Sequence, residues 1–184
     1  MYSVLILETK AQLPLFAFTL NIGQWKTVFT EDQYKVLIAE SLNQTVCQEQ
    51  YKYTLVGYLI NRQRVCLILR IKPNLVQKML NFFYDSVRKN IRKHLEEINK
   101  TFLKKWLKQN GIDIEDLFND LFEQRPLRNE NLVRLITGRK VVLPYYNPHL
   151  RKLKDQIRNY NFCSAIDYSG AKSPVLVTLL SKFK

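Results

Sequence analysis

Two apolar runs, Tyr53 to Ile60 and Arg64 to Ile71, are separated only by Asn61-Arg62-Gln63, and they leave few folds open to this chain. β-Branched and aromatic residues on both sides of so short a polar connection predict an antiparallel hairpin. The middle of the second run, Val65-Cys66-Leu67-Ile68-Leu69, is nearly all apolar, as a central strand would be. The hairpin therefore belongs inside a larger sheet.

The flanking sequence supplies the other elements. Residues 2–7 and 13–20 read as short strands, the second closed by Gly23. Thr30 predicts an N-cap, with Glu31 and Asp32 in the first turn, where the helix dipole favours carboxylates. Tyr34, Leu37, Ile38, Ser41, Leu42 and Thr45 follow at helical spacing. After Pro73, Asn74 is expected to cap a long helix. Its apolar stripe is Val76, Met79, Leu80, Phe83, Val87, Ile91, Leu95, Ile98, Phe102 and Trp106. Asn110-Gly111 reads as its stop. A short acidic helix is expected from Ile114 to Glu123, with Leu117, Phe118, Leu121 and Phe122 inward. A further helix spans Asn129 to Leu135, with a break at Gly138, and Val175 to Leu180 reads as a strand or packed extension. This order predicts an α+β domain, a ferredoxin-like antiparallel sheet backed by helices, with additional C-terminal helices. Residues 1–12 are expected to form an extension, 13–170 the domain and 171–184 a tail.

Charge narrows the function. Lys and Arg number 29 against 16 Asp and Glu, a formal net charge of +13. That excess repels itself in a compact state, so a polyanion is the natural partner, and nucleic acid is expected before a membrane. The 46% hydrophobic fraction argues for a folded globule rather than a basic tail. On the long helix, Lys89, Arg92 and Lys93 lie off the apolar stripe in a region with few acids. The three cysteines, Cys47, Cys66 and Cys163, form no paired motif, so reduced thiols and no zinc site are expected. Met1 to Leu7 is too short and too soon acidic for a signal peptide, and no run is long enough to span a bilayer. The expectation is a soluble, cytoplasmic protein. No phosphate loop, zinc helix or nucleophile elbow occurs. Ser164, Asp167 and His149 lack the context of a hydrolytic triad, and Asp113, Glu115, Asp116 and Asp120 read as a helix-start preference.

Several segments, taken in order, carry a resemblance. Phe16 to Leu20 is similar to a first strand, and Val28-Phe29-Thr30-Glu31-Asp32 to the turn into a first helix. The hairpin Gly57 to Leu69, Arg128-Asn129-Glu130, Asn147-Pro148 and the stretch Asn159 to Tyr168 follow in order, with one insertion of roughly a helical turn between Arg128 and Asn147, covering about residues 15 to 170. Together they resemble the REP-associated branch of single-tyrosine HUH transposases. In that family two histidines on the central strand hold a divalent metal that polarises the scissile phosphate. The matching positions here are Arg64 and Cys66, and the tyrosine nucleophile falls on Leu143. Arginine stays protonated and cannot ligate, and cysteine is a soft ligand poorly suited to such a cation. Tyr145 and Tyr146 are the fallback nucleophiles if the local helix is shifted.

The resemblance thus implies a homodimer that binds hairpin or single-stranded DNA, catalytically inactive, with no cofactor. Arg62, Arg64, Lys89, Arg92, Lys93, Arg151, Lys152, Lys154 and Arg158 are the expected nucleic-acid contacts. Two alternatives stand beside it. One is an active transposase with unconventional residues and a divalent metal. The other is an RNA-binding structural subunit of a nucleoprotein complex. DNA is favoured over RNA.

Overall fold

The computed structural model describes residues 13–48, 53–97, 105, 108–109, 111, 116–158 and 160–180. The expected strand at 2–7 lies outside them, as do Ile98, Phe102, Trp106 and Asn110. Strand β1 (Leu15–Ile22) leads into helix α1 (Glu31–Val46), and β2 (Thr54–Ile60) and β3 (Arg64–Arg70) form the expected hairpin. Helix α2 (Val76–Glu97) and strand β4 (Phe122–Pro126) complete a β-α-β-β-α-β order. Helices α3 (Glu130–Ile136), α4 (Pro148–Arg158) and α5 (Ala165–Tyr168) follow. The sheet order is β2-β3-β1-β4 with every pairing antiparallel, the split β-α-β arrangement of ferredoxin-like domains. The fold is α+β.

Each face of the sheet has its own core. Strand alternation sends Phe16, Phe18 and Leu20 of β1 and Val65, Leu67 and Leu69 of β3 to one side, against α1 and α2. Helix α2 meets them with Val76, Met79, Leu80, Phe83, Val87, Ile91 and Leu95, all buried. Each large side chain so buried contributes about 1.5–3 kcal/mol. Cys66 and Ile68 point to the other side, where Leu132, Val133 and Ile136 of α3 and Ile157 of α4 cover them. This two-sided cover is why β3 is apolar from Val65 to Leu69.

Two sequence expectations are corrected. Asn74 sits within a 3-10 turn, Pro73–Leu75, whose N-cap position is Lys72, and α2 begins after it at Val76. The acidic helix over Ile114 to Glu123 is replaced by a 3-10 turn at Asp116–Phe118 and the edge strand β4. The reason is tertiary. Trp25 Nε1 and Gly23 N both donate to Leu121 O, at 2.9 and 3.0 Å, drawing this segment alongside β1. A Cβ at Gly23 would stand 1.9 Å from Asp120 O, so only glycine allows that approach. Phe122 then packs on Phe83 and Tyr84, each ring centroid 5.5 Å away.

At the opposite edge, the C-terminal residues close β2. Ile60 N donates to Phe162 O at 2.9 Å, Ser164 N to Tyr58 O at 3.0 Å and Thr178 N to Leu55 O at 2.8 Å. The Tyr168 hydroxyl donates to Val56 O at 2.8 Å. Residues 173–178 thus lie against the sheet, with Val175 buried in the larger core.

Candidate functional site

The β2–β3 turn is fixed from several directions. Asn61 Oδ1 accepts from Gln63 N and Arg64 N, both at 3.0 Å, and Ile22 N donates to Gln63 O at 2.8 Å. Tyr34 Oη on α1 donates to Arg62 O at 3.3 Å, and Arg62 Nε pairs with Glu31 Oε2 at 3.0 Å. The turn therefore presents Arg62 and Arg64 from a defined position. Arg64 is exposed and makes no salt bridge among the described residues.

These side chains stand at a cavity of about 370 Å³. The turn contributes Asn61, Arg62, Gln63 and Arg64, and Leu59 of β2 lies beside them. Leu132 of α3 and Leu153, Gln156 and Ile157 of α4 form the facing wall. Glu31 and Tyr160 complete it. Helix α4 is set in place by Asn147, whose Oδ1 accepts from Leu150 N at 2.9 Å, and by Lys154 Nζ donating to Val141 O at 2.6 Å.

Lys35 is the unexpected member. It is only 5% exposed, with Nζ 2.5 Å from Glu31 Oε1 and 5.2 Å from the Tyr160 ring centroid. Burial opposes its charge, but contacts with Glu31 and Tyr160 outweigh that and hold its pKa above the ordinary value. The Lys35 hydrogen bond keeps the Glu31 carboxyl below its ordinary value, burial opposing. Glu31 is thus ionised, and its charge is matched by Lys35 and Arg62.

The remaining expected residues fall into separate places. Cys66 is fully buried beneath the sheet, and burial pushes its thiol up, with Thr19 Oγ1 3.8 Å from Sγ. Leu143 is half-buried, Tyr145 and Tyr146 are exposed, and none of the three lines the cavity. Arg151, Lys152, Lys154 and Arg158 are exposed on α4. None of these four lines the cavity; Lys152 stands one turn before Gln156, and Lys154 reaches back to Val141. Lys89, Arg92 and Lys93 lie on α2, over the opposite face of the sheet from α4. Arg92 rests 5.0 Å from the Phe118 ring centroid. The structure therefore puts Arg62 and Arg64 on the cavity lining beside uncharged residues of α4, and sets the α2 cations on the other side of the sheet.

Ser164 is buried, its hydroxyl accepting from Tyr58 N at 2.9 Å and donating to Ile136 O at 2.5 Å. Its work is structural. Sequence reading missed Lys35, Gln156 and Tyr160 as site members. The Glu31–Lys35 spacing of i,i+4 was visible, but it reads as an ordinary surface pair. Among the described residues no helix is long and apolar enough to cross a membrane, and no cluster of three or more His, Cys, Asp and Glu occurs. No protein-family model, curated protein or solved structure matches the chain.

Proposed function

We propose that this protein binds nucleic acid, through the face formed by the β2–β3 turn and α4, without cutting it. The observation that carries this reading is the pair Arg62 and Arg64 held at the mouth of a cavity in a chain of net charge +13. A guanidinium donates two parallel hydrogen bonds to a phosphate and never loses its proton, so it anchors a strand without supplying chemistry. Arg64 is free to do so, while Arg62 shares its charge with Glu31. Lys152 extends the cationic edge along α4. The buried neutral thiol at Cys66 and the leucine at 143 leave the places of a metal ligand and a nucleophile without either chemistry. The transposase resemblance favours hairpin or single-stranded DNA over RNA, bound by a homodimer.

Gel-shift titrations across a salt series test this reading. The intact protein is expected to bind, with affinity falling steeply as salt rises, and to leave no covalent adduct on a denaturing gel. Arg64→Ala should weaken binding and reduce the salt slope by about one phosphate contact. Unchanged binding in that variant, for every DNA and RNA tried, would sink the proposal.

A further inference from the structure

The cavity beside Arg64 has two chemically different parts. At its mouth stand the guanidiniums of Arg62 and Arg64 and the amides of Gln63 and Gln156. Its covered lining is mainly apolar, with buried Leu59, Leu132 and Ile157 and half-buried Leu153, beside half-buried Asn61 and Glu31. The Tyr160 ring, with Lys35 Nζ 5.2 Å from its centroid, adds an aromatic wall. Phosphate recognition needs only the mouth. A duplex offers phosphates and sugars to such a rim, but no flat apolar group that fills the space behind it.

We infer that this cavity receives the base of one unpaired nucleotide, whose phosphate is held at Arg62 and Arg64. The inference rests on the nucleic-acid reading and adds the form of the ligand. At about 370 Å³ the space lies within the ~300–1,000 Å³ range of small-ligand sites. A base has two apolar faces and a polar edge. The faces match the leucine walls and the Tyr160 ring, and the edge matches the amides of Gln63 and Gln156, which can donate and accept. Glu31 is the one acid on the wall, and its carboxylate is occupied by Lys35 and Arg62, so it does not repel the phosphate at Arg64. Stacking tolerates any base, so selectivity would be for an unpaired position rather than for sequence.

The test compares a fully paired DNA duplex with the same duplex carrying one extra, unpaired 2-aminopurine nucleotide. The protein is expected to bind the second about tenfold more tightly, with a fluorescence change as the base leaves water. Leu153→Trp, which fills the cavity from α4, should abolish both the preference and the fluorescence change. Its affinity for the paired duplex and its salt slope should stay as in the parent protein. Gln156→Ala, at an exposed position that the fold does not need, should reduce the preference about threefold or more. Equal binding of the two DNAs, or a preference that survives both substitutions, overturns the inference while leaving nucleic-acid binding intact. Absence of binding to either DNA overturns the inference, while the hairpin and single-strand titrations decide the broader reading separately.

Discussion

Lys35 illustrates what a single side chain demands of its surroundings. An ammonium with 7% of its side chain exposed is costly unless it is paired, and Glu31 is its only salt-bridge partner among the described residues. Breaking a fully buried pair costs about 3–5 kcal/mol. Glu31 is 40% exposed, so we expect Glu31→Gln to cost less, about 1–2 kcal/mol by chemical denaturation. Because the Glu31 pKa is lowered in the fold, its contribution is present above the ordinary carboxylate range. It is lost as pH falls through the lowered value. The parent protein should therefore lose more Tm than Glu31→Gln on going from neutral to acid pH. The cysteines give a second residue-scale expectation. Cys47 is exposed, whereas Cys66 and Cys163 are buried and burial pushes the Cys163 thiol up to about 12. A thiol reagent at neutral pH should modify one cysteine in the native protein and all three after unfolding. A second fast-reacting thiol would contradict the packing described. The apolar run around Cys66 made a central strand legible, but which elements cover its face, α3 and α4, was not.

At the scale of elements, periodicity decided what could be read. The hairpin and α2 repeat their apolar pattern over many residues; the hairpin occurs where the sequence places it, and so does α2 as far as Glu97. The five residues of β4 give no comparable signal, since Glu123, Arg125 and Pro126 are polar or helix-breaking and only pairing with β1 makes them a strand. The same charges and proline blunt that edge against another chain. The β2 edge is closed differently, by side chain and backbone groups from the C-terminal segment. Ser164→Ala would leave the buried Tyr58 N–H unpaired, and we expect a loss of about 1–3 kcal/mol by denaturant unfolding. A neutral result would show that water or the chain itself replaces the hydroxyl. Gly138 is a further fixed point. Its φ is +69°, and a Cβ there would stand only 2.4 Å from Tyr168, so Gly138→Ala is strained as well as crowded.

For the molecule as a whole, the charge pointed to a polyanionic partner, but it did not say where the cations would gather. Folding put Arg62 and Arg64 on one cavity and left Lys89 and Lys93 behind the sheet, because α2 and α4 pack on opposite faces. Primary structure orders residues along a line and is silent on which layer each helix joins. Residues of the expected tail, Val175 and Thr178 among them, pack and hydrogen-bond against the sheet. A chain ending at residue 170 should melt at lower temperature and aggregate more readily by light scattering, since it uncovers Leu55 O and the Val175 socket. The manner in which β2 is sealed also sets an order in time. Tyr58 and Ser164, which bond each other, are 106 residues apart in sequence. At ribosomal rates of about 5–20 residues per second, several seconds separate the synthesis of β2 from that of the segment that covers it. During that interval a nascent sheet has an open margin, and a chaperone that shields strand edges would find its substrate there.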